Sequence, residues 1–511
     1  MSRTTPDTTE SAFVGAIDQG TSGTSFTIYD ESGSPVSSAR RSHEQIYPKP
    51  DLVEHDPVEI WRNTVEVITD AVATAGLQLE DLATIGIANQ RETVVIWERS
   101  TGEPIHNALV WQDSRCMDII DEMADRGLED VVERTTGLEL DPFYSAGEIA
   151  WLLENVEGAR KRAREGELVV GTIDSWLVYN LTGVHATDVT NASRTLLFDI
   201  EALEWSERLL EEFDVPKAIL PSVHPSSHPT AYGVTDGDGP LEAEIPVTGI
   251  VGDQQASLVG NGAVTPGSVK QTLGTSSVLQ MHTGPDSIRS ENGLNTTVGY
   301  QLSGEPVQYA LEGQIFTGAQ ALEWLSSIGL VGAPEETSQL ARRAGDTGGV
   351  YFVPAFQGLA TPDWDPYARG TIVGLTLDTS RAQLVRATLE GIAFRSRDAI
   401  EAFRRDAEYS IDSLRVDGGM VENDFLRQAL SELTQLETVR TQTKEATSFG
   451  AAFLSGLAVD VWSEVEELQD LTEERDRIEP SIDLSTLESR YTDWRRAVSR
   501  SMGWNSVGPE S

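Results

Sequence analysis

The sequence predicts an α/β protein built of two related domains that face each other. Three observations carry this. The 511 residues exceed what one hydrophobic core organises and point to about two to four domains. Segments with the two-residue apolar period of strands interleave with segments of helical period along the chain. One pattern, strand–turn–strand with Gly-Thr-Ser in the turn, opens each half, at Phe13–Asp30 and again at Gly267–His282. A boundary just after the GDQQAS segment gives domains over residues 13–260 and 261–505.

The elements follow in order. FVGAID is an apolar run ending on Asp18, QGTSGT is a turn, and SFTIYD alternates apolar and polar residues as a half-buried strand does. Pro57 to Gly76 places Ile60, Trp61, Val67, Ile68, Ala71 and Val72 close to helical spacing, with Asp56-Pro57 as the start and Gly76 as the stop. IGIA and VVIW read as strands separated by the polar run Asn89-Gln90-Arg91-Glu92. In the second half, YFVPAF and LRVDGG read as strands. Long amphipathic helices are expected near Ser380 to Asp406 and Asp424 to Gln435.

Hydrophobic residues make up 39% of the chain, enough for packed cores, but the charge is unusual. Asp and Glu number 82 against 38 Lys and Arg, a formal charge of -44, and only five of those bases are lysines: Lys49, Lys161, Lys217, Lys270 and Lys444. Self-repulsion on this scale opposes a compact state at ordinary ionic strength. It largely vanishes at molar salt, where the Debye length is about 3 Å. The acids are spread along the chain rather than gathered in a tail, which favours adaptation to a high-salt cytosol over a dedicated cationic partner. The same charge disfavours nucleic acid. The single cysteine, Cys116, excludes an intrachain disulfide and a cysteine-based metal site. The seven histidines form no close metal-ligand pair, and His224 and His228 fall in a Pro/Ser-rich loop. Met1 to Ala12 lack an apolar signal core, and no apolar run approaches the roughly 18 residues that span a bilayer. A soluble, cytoplasmic protein without membrane insertion is expected.

Five segments carry candidate chemistry, each with an ordinary structural alternative. DQGTSGTS, residues 18–25, is a hairpin turn whose backbone N–H groups and hydroxyls suit an anion, with Asp18 able to hold Mg²⁺ through water. The same residues also make common turns. GTSS at 274–277 repeats it in the second half, and two facing turns would clamp a triphosphate. VDGGMVEN, residues 416–423, brings Gly418-Gly419 to a strand end before a helix, as a ligand-approaching or merely tight turn would. GIVGDQQAS places Asp253 at the carboxyl end of an apolar strand, as a general base or a helix N-cap. NQRETVVIW sets Arg91 beside Glu92, a donor and an acceptor for neighbouring hydroxyls or a solvated charge pair. Trp111 can pack against a carbon backbone or sit in a core. No G-x-x-x-x-G-K-[ST] occurs, so a phosphate site here is not a P-loop.

Taken together, these segments with HEQIYPKPDLVEHDPVEIW, ATDVTNASRTLLF, YALEG and PAFQGLATPDWDPYARG closely resemble the glycerol-kinase branch of the FGGY carbohydrate kinase family, from about Val14 to Trp504. The resemblance implies two actin-like, ribonuclease H-like domains with a cleft between them. It implies ATP-dependent phosphorylation of glycerol to sn-glycerol 3-phosphate, with ATP and Mg²⁺ required. It places Asp253 on the general base, and Arg91, Glu92 and Gln254 on glycerol contacts. Trp111 falls on the aromatic wall. Thr21, Ser22, Gly23, Thr275, Gly419 and Asn423 fall on nucleotide contacts, and Asp18 on the acid associated with Mg²⁺. It allows a homodimer or homotetramer.

The chain departs from that pattern at several positions. Ser25 stands where an Arg is usual, and Phe143 where the glycerol site has a Tyr. Tyr144 is adjacent, but neighbours in an extended segment point to opposite faces, so it is not expected to substitute. Val278 replaces an aromatic residue and Ala319 a glycine. The loop DGDGPLEAEIP offers Glu244 where regulation by a sugar bisphosphate uses an Arg. Two other readings therefore stay open: a kinase for another small polyol or a ketose, and a non-catalytic relative. The charge alone yields one expectation. Dilution from molar KCl to about 0.1 M, where the Debye length reaches about 10 Å, lowers the melting temperature, and a constant Tm across that series would contradict the high-salt reading.

Overall fold

The Gly-Thr-Ser hairpins seed two sheets of the same design. The computed structural model describes residues 12–441, 445–472 and 474–505. The polar start of the chain before Ala12, and Lys444, lie outside the described residues. The chain forms two units. One holds the residues up to Gly260 with Val298–Val307 and Thr447–Leu471; the other holds Asn261–Thr297, Gln308–Ala446 and the chain from Thr472 onward.

In the first unit, five strands lie in the order Val247–Gly252, Leu82–Asn89, Phe13–Gly20, Gly23–Tyr29, Pro35–Ser42. The first three run parallel and the last three form an antiparallel meander. In the second unit, Glu437–Thr441, Ser413–Asp417, Val269–Leu273, Ser277–Gly284 and Gln308–Ile315 repeat that order and those directions. Glu474–Ile478 adds an antiparallel edge beside Glu437–Thr441. Fifth, fourth, first, second, third in chain order, twice, is the ribonuclease H-like arrangement that the resemblance implies.

Helix Pro57–Ala75 starts and stops where its sequence signals lie. Asp56 accepts the Val58 N–H at 2.9 Å, and Gly76 ends the helix at φ +71°, a left-handed conformation that glycine adopts without strain. Its apolar stripe of Ile60, Val67, Ile68 and Ala71 packs with Ile17, Phe26, Ile28, Ile85 and Ile87 of the sheet. In the second unit, Ser380 and Gln383 form a capping box at the head of helix Arg381–Asp406. This helix buries Leu389, Ile392, Phe394, Ile400 and Phe403 with sheet residues Leu279, Leu311 and Leu414. Trp494 stacks on Phe394 at 5.1 Å and donates its indole N–H to Asp398 at 3.0 Å. Arg395 bridges Asp363 and Asp398 at 2.7 and 2.9 Å, and Arg495 meets Asp363 at 2.7 Å. Burial raises the Asp363 pKa, but Arg395 and Arg495 outweigh it and hold the carboxyl below its usual range.

Helix Ala446–Leu457, from Thr447 on, belongs to the first unit and lies directly on its sheet. A Cβ at Gly86 would come within 2.3 Å of the Ala451 carbonyl, and one at Gly249 within 2.8 Å of Ser455. Backbone therefore touches backbone where any side chain would wedge the layers apart. Gly86→Ala is expected to destabilise the protein by about 1–3 kcal/mol, read as a lower denaturation midpoint at fixed molar KCl. An unchanged midpoint would show that the helix yields.

Candidate active site

In the first unit the site grows from the polar run that ends strand Leu82–Asn89. Asn89, Gln90, Arg91 and Glu92 are all at most 4% exposed, so the run is not a solvated charge pair. The turn closes with Glu92 at φ +66°, a region that non-glycine residues seldom occupy. Buried charges need partners. Glu92 Oε1 accepts from Arg194 Nε at 2.7 Å and lies 3.7 Å from Arg91 Nε. Arg91 Nε is in turn 3.6 Å from Asp253 Oδ1, and Arg91 Nη1 donates to Gln255 at 3.3 Å. Arg194 is fully buried, with its guanidinium 5.1 Å from the Tyr144 ring.

Asp253 opens helix Asp253–Gly260 directly after strand Val247–Gly252. Its side chain is 27% exposed among buried neighbours, so it can meet a ligand. Oδ1 accepts the Gln254 N–H at 2.7 Å, and Gln254 is half-buried beside it. Gly252 lets Arg91 pass, since a Cβ there would sit 2.8 Å from the Arg91 stem. The Gly252 N–H donates to the Thr190 hydroxyl at 2.8 Å, and that hydroxyl donates to Asp188 Oδ1 at 2.8 Å. Asp188 is buried and also accepts from Thr190 N, Asn191 N and Ser226 Oγ. Burial raises its pKa and these donors work against the rise. Asn191 and Asn89 exchange amide hydrogen bonds at 2.9 and 3.0 Å, tying this network to the Arg91 turn.

The aromatic residues gather beside it. The Trp111 indole N–H donates to the Thr21 hydroxyl at 3.0 Å, and its backbone N–H to Thr93 at 3.3 Å. Its ring meets Phe143 at 5.4 Å. The expectation that Phe143 and Tyr144 diverge is wrong. Residues 141–144 turn into helix Ser145–Asn155 instead of running extended, with Asp141 Oδ1 accepting from Phe143 N at 2.9 Å, and the two rings touch at 5.2 Å. Tyr144 is 1% exposed against Arg194, while Phe143 stays half-buried.

The first hairpin turn holds Thr21 and Ser22. Gln45 donates to the Thr21 carbonyl at 2.9 Å, and Gly23 is needed because a Cβ there would lie 2.4 Å from the Arg41 carbonyl. Asp18, partly buried on the adjoining strand, pairs with Ser25 across the hairpin. The histidines hold one surprise. His43 and His55 meet edge to face at 4.4 Å. Burial lowers both pKa values, with each other's charge a further cause for His55, which falls to about 3. Neutral His55 bonds Gln45 at 3.0 Å and so backs the turn. Among the described residues no group of three or more His, Cys, Asp or Glu is poised to hold a metal.

In the second unit the hairpin turn is braced from below, where Gly318 N and Ala319 N donate to the carbonyls of Thr275 and Gly274 at 2.8 and 2.9 Å. Gly418, at φ +89°, lies against Leu273 of the hairpin, where a Cβ would come within 2.5 Å of its carbonyl. Gly419 faces open space, with no atom within 4 Å of a Cβ built there. Asn423 caps helix Asp424–Thr434 through the Leu426 N–H at 3.1 Å and donates to Thr337 at 3.0 Å.

Sequence reasoning gave no role to Thr190, Asp188 or Arg194, although all three stand in ATDVTNASRTLLF. The only signal was the density of hydroxyl, amide and carboxylate groups in a segment with no apolar period.

The family model described as FGGY family of carbohydrate kinases, N-terminal domain, matches residues 13–260, and its C-terminal counterpart matches 269–459. The chain belongs to the FGGY family of carbohydrate kinases. It is 52% identical over 502 residues to the glycerol kinase of Haloferax volcanii, covering 96% of this chain and 98% of that protein. It is 50% identical over 503 residues to that of Halobacterium salinarum, covering 96% and 99%. Among solved structures, Plasmodium falciparum glycerol kinase with ADP superposes at a TM-score of 0.90 with 34% identity over 98% and 99% of the two chains. A xylulose kinase from Lactobacillus acidophilus, at 0.85 and 22%, shares the fold.

Thr190 holds the backbone N–H next to Asp253, so Thr190→Val leaves that buried donor unpaired and lets the carboxylate drift. Turnover is expected to fall roughly 10- to 100-fold, and Thr190→Ser, which keeps the hydroxyl, to stay near wild type in steady-state assays. Equal loss in both variants would assign Thr190 to packing alone.

Proposed function

We propose that the protein transfers the γ-phosphoryl of ATP to a terminal hydroxyl of glycerol, giving sn-glycerol 3-phosphate and ADP in the cytoplasm. The observation that carries this reading is the buried Arg91–Glu92 turn held 3.6 Å from the partly exposed Asp253 carboxylate. This triad offers adjacent hydroxyls one donor, one acceptor and one base on a fixed frame. Its resemblance to glycerol kinases over nearly the whole chain supports the substrate.

In this reading Arg91, Glu92 and Gln254 bind the hydroxyls, while Trp111 and Phe143 line the carbon chain. Asp253 takes the proton of the attacking hydroxyl as its oxygen bonds to the γ-phosphorus and the bond to the ADP oxygen breaks. Thr21, Ser22 and Gly23 on the first unit, and Thr275, Gly419 and Asn423 on the second, contact the nucleotide. Gly419 suits that part because a ligand can approach its bare backbone. Asp18 would hold Mg²⁺. A partly buried carboxylate in one row with Ser25 fits an ion that keeps waters and phosphate oxygens as its other ligands. When bound, that ion neutralises phosphate charge. Phe143 brings no hydroxyl to the polyol. One lost hydrogen bond is worth about 0.5–1.5 kcal/mol, so glycerol binds roughly 2- to 12-fold less tightly than with a phenol there.

A coupled ADP-release assay at molar KCl against glycerol, dihydroxyacetone, tetritols and pentuloses tests the substrate. Glycerol is expected to turn over best, and an inert glycerol beside an active ketose would move the protein to another kinase specificity. Asp253→Asn is expected to lower kcat about 100-fold or more while calorimetry still records ATP binding. Near-normal kcat in that variant would remove Asp253 from its role.

A further inference from the structure

The first phosphate turn has a cation that its own strand does not supply. Asp18 pairs with Ser25 across the first hairpin, and Ser25 pairs with Arg40 of the edge strand Pro35–Ser42. Directly paired residues project from the same face of a sheet. Asp18, Ser25 and Arg40 therefore form one row across three strands, beside the turn. The neighbouring row of Gln19, Thr24 and Arg41 points to the opposite face. There Arg41 meets Asp70 at 2.5 Å and Glu66 at 3.5 Å on helix Pro57–Ala75. The two adjacent arginines are thus divided in their uses, one spent on helix carboxylates and one left on the side of the turn.

Arg40 reaches back to the turn. Its Nη2 donates to Ser22 Oγ, in the middle of the turn, at 3.2 Å. Among the described residues no carboxylate lies within ion-pair distance of it, in a chain where acids outnumber bases 82 to 38. Ser25, the residue between Asp18 and Arg40 in that row, has a short uncharged side chain, so Arg40 is the row's cation.

We propose that Arg40 is a phosphate-binding residue for the nucleoside triphosphate, carrying from the edge strand the positive charge that Ser25 does not bring. A guanidinium presents paired donors that match phosphate oxygens. Charge on the transferring phosphoryl spreads over its equatorial oxygens, so a donor placed there acts most strongly in the transition state. In the free protein the guanidinium rests on the Ser22 hydroxyl, and the triphosphate takes over that hydrogen bond. The proposal rests on reading residues 21–23 as a phosphate turn.

Two measurements test it at fixed molar KCl. Arg40→Ala is expected to lower kcat for glycerol phosphorylation roughly 100-fold, with KM for glycerol and Tm unchanged, and adding Ser25→Arg to that variant is expected to recover part of the loss. Arg41→Ala should keep wild-type kcat. Calorimetry with ATP and with AMP separates the phosphate contact from folding and from chemistry: Arg40→Ala should weaken ATP and leave AMP as it was. Wild-type kcat and wild-type ATP affinity in Arg40→Ala overturn the proposal, as does an equal loss in Arg41→Ala. If the wild-type protein phosphorylates no polyol or ketose, the kinase reading fails, while the ATP-against-AMP comparison still decides what Arg40 binds.

Discussion

Glu92 is 2% exposed and carries its carboxylate on a left-handed backbone position, so protein groups must balance a charge that water cannot reach. Arg194 and Arg91 do so together. Removing one partner of such a pair strands the other at about 3–5 kcal/mol, which makes the arrangement nearly all-or-none. Arg91 cannot turn away from Glu92, and its Nε therefore stays within 3.6 Å of Asp253. Gly252 must lack a side chain for Arg91 to pass, and Tyr144 must face inward to cover Arg194. The exposed carboxylate of the site is thus aimed by charges that never leave the interior.

The two units show one strand order furnished for different tasks. The first surrounds its sheet end with paired charges and amides. The second clears backbone there, with Gly418 tight against Leu273 and Gly419 open. Scarce cations follow the same economy of placement. Arg395 and Arg495 share Asp363 and Asp398 in the core of the second unit. That bridging uses the fork of arginine, which lysine lacks, and fits a composition with only five lysines.

Much of this was legible in the sequence because the signals were local. Asp56-Pro57 and Gly76 bracket their helix, the amphipathic run from Ser380 to Asp406 marks another, and the repeated hairpins mark both sheets. Asp253 and the Arg91–Glu92 pair could be named from their places at strand ends. What stayed hidden depends on contacts far apart in the chain. Nothing near Glu92 says that Arg194, 102 residues later, will neutralise it. The His43–His55 contact spans a loop, and the turn at 141–144 follows from an aspartate side chain that competes with extended backbone. Burial also decided against the simpler local reading, since Arg91 beside Glu92 looks like a solvated pair until the sheet closes over both.

The helix that covers Gly86 and Gly249 bears on how the protein can be made. It is encoded by residues 446–457, almost two hundred positions after the last strand of the sheet it covers. While a ribosome is still translating the middle of the message, Gly86 and Gly249 lack the helix backbone that packs on them in the finished protein. The first unit therefore matures late, after most of the second has already been synthesised. A gene cut at residue 260 would yield a fragment with an unfinished hydrophobic face, suited to aggregation or to a chaperone, and not a free-standing domain.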